Sequence, residues 1–245
     1  MGRAFLIAAA FAALLTSSAQ AASDFSDWAA VVVAGDWHAH SGAPSDVFDN
    51  ARHDIASQLV GIGFAPGNIL QFSAQPDRYV GSTRATTRQF VASGLWDLSN
   101  RTNGGCLAYF TSHGSQDGIV LGDETLSLHQ AEMIVDNACA GRPSVVIVSA
   151  CFSGVFVPSL ESPDRIVLTA AASDRTSFGC GESDKYTFFD TCALQWLRRS
   201  GSFPEFGKDM IACVAEREKK EDVGLPSEPQ LFIGANAAAS IPRWK

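Results

Sequence analysis

Val145-Val146-Ile147-Val148-Ser149-Ala150-Cys151-Phe152-Ser153-Gly154 decides how the rest of the chain is read. Four apolar β-branched residues behind Pro143 have the pattern of a strand buried on both faces, as in a parallel sheet. The run gives way to small residues at Ser149-Ala150, and a cysteine stands where the strand ends. In open α/β sheets the carboxyl ends of the strands border the ligand crevice, so Cys151 occupies the position where chemistry is done. Its alternative is a core cysteine acting as a small apolar side chain.

A second strand-like run, Cys106-Leu107-Ala108-Tyr109-Phe110-Thr111, ends in Ser112-His113-Gly114-Ser115. A thiol with a pKa of about 8.5 is only a few per cent thiolate at neutral pH, so a cysteine nucleophile needs a neighbouring base. Neighbouring strands lie about 4.8 Å apart, so residues just past two strand ends can face each other. His113 and Cys151 therefore form the expected catalytic dyad. Gly114 adds an N–H that can approach a bound carbonyl closely.

Ser112-His113-Gly114 and Ser149-Ala150-Cys151-Phe152-Ser153-Gly154 together resemble the legumain-type cysteine endopeptidases, relatives of the caspases. The likeness extends to Val31-Val32-Val33-Ala34-Gly35 and to Thr169-Ala170-Ala171 through Cys180. It implies a caspase-like three-layer α/β sandwich, with a mostly parallel sheet of about six strands between helices. It also implies peptide or protein substrates, with cleavage after Asn and, second, after Asp. Arg52 resembles the family's S1 arginine and Asp190 its acidic partner. Ser149 stands where the family carries a glutamate, and Thr176-Ser177 falls where the family lines its cleft. Without the resemblance, Arg52 reads as an exposed helix residue and Asp190 as a carboxylate at a helix N-terminus.

Residues 1–22 have the form of a secretory signal: Arg3, an apolar run Ala4–Leu15, then Ala19-Gln20-Ala21. That run is well short of the ~20 residues needed to span a bilayer. The expectation is an exported protein, secreted or periplasmic, whose residues 23–245 form a single peptidase domain. The chain is acidic, with net charge −8, and has no Lys/Arg stripe. Such a chain is not expected to bind nucleic acid or anionic membrane.

Export permits disulfides among the six cysteines. Cys106 and Cys139, read as lying at the starts of neighbouring strands, are the first candidate pair. Cys192 and Cys213, on successive helical segments, are the second. No cysteine or histidine spacing matches a zinc site, no metal or cofactor is expected, and His38 and His40 read as residues of a solvated loop.

Further strands are expected at Trp28–Ala34, Ile69–Ser73, Arg165–Ala171 and, at a sheet edge, Gln230–Ile233. Helices are expected at Pro44–Gly61, capped by Ser45 or Asp46, and at Thr83–Ser99 with Phe90, Val91, Leu95 and Leu98 inward. Others are expected at Leu128–Ala140, Phe188–Arg199 and Phe206–Lys220. A small hairpin turning at Gly122-Asp123 is expected over the site. Two rival functions fit the same residues: a thiol-dependent ester or acyl-transfer enzyme, and a non-catalytic binding protein that has kept the fold.

Overall fold

A computed structural model describes residues 24–79 and 83–244. The signal-like segment 1–22 lies outside the described residues. In chain order the elements are β1 (Ala29–Ala34), α1 (Val47–Gly61), β2 (Ile69–Ser73), β3 (Thr83–Ala85), α2 (Arg88–Ser99), β4 (Cys106–Thr111), β5 (Gly114–Ser115), β6 (Gly118–Leu121) and β7 (Glu124–Leu126). There follow α3 (Leu128–Cys139), β8 (Ser144–Ser149), α4 (Val157–Leu160), β9 (Arg165–Thr169), α5 (Phe188–Trp196), α6 (Phe203–Lys220), β10 (Gln230–Ile233) and α7 (Ala237–Ser240).

Seven strands form the central sheet in the order β10-β9-β8-β4-β1-β2-β3. All neighbours are parallel except the antiparallel edge pair β10–β9. The chain runs outward from β1 through β2 to β3, then returns to β4 on the other side of β1. That reversal makes the β1/β4 boundary the topological switch point, where a crevice opens beyond the carboxyl ends.

Period-two alternation feeds both faces of the sheet. Ala30, Val32, Leu107, Tyr109, Val145 and Ile147 point into a core closed by α1, α5 and α6. Val31, Val33, Ala108, Phe110, Val146 and Val148 point into a second core closed by α2, α3 and α4. Helix starts are set by side-chain caps: Thr87 for α2, a Ser127/Gln130 capping box for α3, Thr187 for α5 and Ser202 for α6. Cys106 is bonded to Cys139 and Cys192 to Cys213, which ties α3 to the sheet and α5 to α6. Cys139 is the last residue of α3, not the start of a strand.

The structure departs from the sequence reading at α2. Thr83–Ala85 is a strand paired with β2, which raises the strand count to seven, and the helix begins only after the Thr87 cap. Val91, Leu95 and Leu98 face inward, whereas Phe90 is about half exposed, since one residue of rotation (100°) carries it off the inner face. At α1 the Ser45 hydroxyl accepts the Val47 N–H (3.3 Å), and the Asp46 carboxylate caps nothing. The hairpin expected over the site is present as β6–β7, with β5 added as a third strand.

Candidate active site

Register brings the ends of β4 and β8 level. Thr111 pairs with Ser149 at the ends of β4 and β8, and the Ser112 N–H donates to the Ser149 carbonyl (3.1 Å). His113 and Cys151 each lie two residues past the end of their strand. Gly114 lies against the backbone of Cys151: a Cβ there would run into the Cys151 carbonyl oxygen and meet the Ala150 Cβ at 3.0 Å. Only glycine fits so close an approach.

The chain turns sharply after Cys151. Phe152 has φ 57° and ψ 12°, the left-handed region that a bulky residue occupies only under strain. Its N–H is held by the Arg175 carbonyl (2.7 Å). This turn lifts Cys151 off the sheet, half-buried, with its sulfur against Ser177. The Ser177 N–H donates to Sγ (3.3 Å), and the Ser177 carbonyl and hydroxyl oxygens lie 3.5 and 3.6 Å from it.

His113 is held from β1's side of the switch point. Its Nε2 lies 3.0 Å from the backbone carbonyl of His38. A carbonyl only accepts, so Nε2 carries the proton and Nδ1 keeps the lone pair. The Phe48 ring packs edge-on at 5.0 Å and fixes the imidazole plane.

The His38 carbonyl is itself fixed. Asp36 Oδ1 accepts the Trp37 N–H (2.6 Å), the His38 N–H (3.1 Å) and the His38 Nδ1–H (2.7 Å). Sequence reasoning missed this contribution and placed His38 in a solvated loop. A backbone acceptor carries no residue-type signal, although the Asp-x-His spacing after a strand is the kind that builds an Asx turn.

Three residues expected in the substrate pocket are instead buried. Arg52 is 1% exposed. Its Nε donates to Asp49 Oδ1 (2.7 Å), its Nη1 to Gln71, and its guanidinium lies over the Tyr79 ring. Asp190 has no exposed surface; Tyr109 Oη (2.6 Å) and Thr111 Oγ1 (2.7 Å) donate to its carboxylate. Burial pushes this carboxyl up from the usual aspartate range, while the surrounding donors hold it down. Ser149 is buried, and its hydroxyl meets that of Thr187 (3.3 Å). All three side chains thus meet the protein's own polar groups. Of the predicted pocket residues, Ser177 alone touches the Cys151 sulfur.

Cys180, the other free thiol, packs on Ala34, Val47 and Phe48, and its carbonyl accepts the His40 N–H (3.0 Å). Burial pushes its thiol up to about 11, helped by the nearby Cys151 and Asp184 charges. Among the described residues no group of three or more His, Cys, Asp or Glu is placed to hold a metal ion. No helix among them is long and apolar enough to cross a membrane.

A seven-stranded doubly covered sheet with cysteine and histidine on adjacent strand tips defines the caspase-like fold class. Caspase-1 from Spodoptera frugiperda superposes with a TM-score of 0.62 at 14% identity, over 86% of this chain and 88% of that one. The Peptidase C13 family model matches residues 84–211, a little over half of the chain and a span containing both His113 and Cys151. The chain belongs to the peptidase C13 family and is a cysteine peptidase. No curated protein matches it. Arg52 and His38 both lie outside the matched span.

Proposed function

We propose that this protein is an exported cysteine endopeptidase acting through a Cys151–His113 dyad. Nδ1 of His113 takes the Cys151 proton as sulfur attacks the peptide carbonyl carbon. The C–N bond then breaks, the imidazolium returns its proton to the leaving amine, and a thioester forms. Water, deprotonated by the same nitrogen, releases the acid and restores the thiol. The N–H groups of Cys151 and Gly114 stabilise the oxyanion, each worth about 10²–10³ in rate.

The observation that carries this reading is the His38 carbonyl on His113 Nε2, which leaves Nδ1 free on a residue just past the end of β4, the strand beside that of Cys151. The two disulfides support an oxidising compartment, hence export. With Arg52, Ser149 and Asp190 buried, a preference for Asn, then Asp, at P1 rests on family membership alone.

The test is hydrolysis of fluorogenic peptides differing only in Asn, Asp, Arg or Lys at P1, beside simple thioesters and esters. Cys151→Ala and His113→Ala are expected to abolish turnover of the preferred peptide. Wild-type turnover in Cys151→Ala would end the proposal. Turnover of esters without peptides would move it to acyl transfer.

A further inference from the structure

Asp190 is a buried carboxylate with no arginine, lysine or histidine against it among the described residues. An uncompensated buried acid is costly, and apolar side chains would fill the same space more stably. What surrounds it is a set of hydroxyls with a definite arrangement. Tyr109 donates to one oxygen and Thr111 to the other. The Asp190 N–H donates to Thr187 Oγ1 (3.0 Å), which in turn meets Ser149 Oγ.

These partners are not scattered. Tyr109, Thr111 and then His113 alternate along one face of β4 and its extension; Ile147, Ser149 and Cys151 do the same on β8. Tyr109 is level with Ile147 and Thr111 with Ser149. At about 3.3 Å per residue, the carboxylate cluster sits roughly 7 Å along the strands behind the reactive pair, on the same face. It touches the last residue of each strand, Thr111 of β4 and Ser149 of β8.

We propose that Asp190 is a positioning residue: its carboxylate and its Thr187 cap tie the last residues of β4 and β8 to the start of α5, and so set the spacing of His113 and Cys151. This rests on the dyad reading above and adds to it the element that sets the distance. Misplacing a reacting pair by about 1 Å costs on the order of 10²-fold in rate.

The experiment compares wild type, Asp190→Asn, Thr111→Val and Tyr109→Phe in three measurements. These are kcat and KM on the preferred peptide, the pH profile of Cys151 alkylation by iodoacetamide, and thermal unfolding. Asp190→Asn is expected to lower kcat about 10- to 100-fold with KM within about twofold. Its alkylation is expected to fall by the same factor at pH 6, where the thiolate depends on a nearby imidazolium, yet match wild type at pH 9, where it does not. Thr111→Val and Tyr109→Phe, each removing one tie, are expected to show the same pattern more weakly.

A purely structural role would lower the unfolding temperature and leave the alkylation profile of the folded protein unchanged; that result overturns the proposal. If Asp190→Asn does not fold, wild-type kcat and profile in both other variants overturn it equally. His113→Ala separates the two levels. If that variant keeps the pH 6 alkylation, the dyad itself fails and the positioning role with it. If it loses that alkylation while Asp190→Asn keeps it, only the positioning role fails.

Discussion

Replacing Arg52 with methionine separates a pocket cation from a buried strut. The guanidinium and the Asp49 carboxylate are 1% and 3% exposed, 2.7 Å apart, with Gln71 and the Ser73 hydroxyl (2.9 Å to Asp49 Oδ2) completing the cluster. Methionine fills much of the volume but leaves Asp49 charged and unpaired, which for a buried pair costs about 3–5 kcal/mol. In a domain of this size each kcal/mol moves Tm by about 2–4 °C, so a drop of roughly 6–20 °C is expected. Burial pushes the Asp49 carboxyl up, against the restraint of Arg52 and Ser73, and losing Arg52 lets it climb further. A carboxyl whose folded pKa exceeds its unfolded value takes up protons on folding, so its burden is full above that raised pKa and is relieved as pH falls toward 3.8. The deficit of Arg52→Met is therefore expected to be largest at neutral pH and to shrink on acidification. Asp49→Leu added to Arg52→Met is expected to recover most of the loss. Circular dichroism melts between pH 4 and 8 read the stability. The kcat/KM ratio for Asn against Asp peptides, measured below the melting range, is expected to stay within about twofold, since the guanidinium meets no substrate. A Tm within 2 °C of wild type, together with a selectivity ratio changed more than tenfold, would refute the burial argument and restore Arg52 to the pocket.

A short pulse of iodoacetamide at pH 7 on the folded protein is expected to label Cys151 and spare Cys180. A thiol at about 11 is thiolate in only about one molecule in 10⁴, against a few per cent for an ordinary cysteine, and peptide mapping that found equal labelling would contradict its burial. Gly114→Ala is expected to lower kcat about 100-fold in a folded protein, because the new Cβ displaces the Cys151 carbonyl; wild-type kcat would mean that the strand tips are not packed together. Removing the Cys192–Cys213 bridge by Cys192→Ala/Cys213→Ala is expected to cost about 3 kcal/mol, read by urea unfolding, with activity retained since Asp190 and Thr187 keep their own ties to β4 and β8.

The two strands that carry His113 and Cys151 were legible because their signal is local and their placement follows from topology. Uninterrupted β-branched runs such as Val145–Val148 belong to strands covered on both faces, and parallel strands of equal length end level with one another. Two such runs, each ending two residues before a reactive side chain, were therefore enough to propose His113 and Cys151 as a pair, and the structure shows the two strands as neighbours. The disulfides followed from the same frame, once Cys106 was put at the foot of β4 and Cys192 and Cys213 on adjacent helices. The third strand tip was not legible: β1 contributes a peptide carbonyl at His38, and a main-chain acceptor looks alike at every residue. β3 failed for a related reason, since Thr83-Arg84-Ala85 is too short for periodicity to speak, and the Thr87 cap that ends its claim to be helix is evident only in the fold.

Arg52, Ser149 and Asp190 expose the deeper limit. Charge in a sequence reads as surface, because most charged side chains are exposed, whereas Arg52 and Asp190 are buried. Which way a helix side chain points depends on what the sheet offers opposite it. Here Gln71 and Ser73 on β2, and Tyr109 and Thr111 on β4, present polar groups on faces that are otherwise apolar. Those four residues were visible in the sequence as interruptions of apolar strands, and each is now matched to a buried charge on the helix above it. A polar residue at an inward-facing strand position thus predicts a charged or polar partner in the covering layer, and Asp49–Arg52 on α1 and Asp190 on α5 are those partners. On this reasoning Arg52→Met and Asp190→Asn must differ in kind: the first perturbs a cluster against β2 that donates to neither strand tip, and is expected to move stability more than kcat. The second perturbs a cluster directly behind His113 and Cys151 and moves kcat.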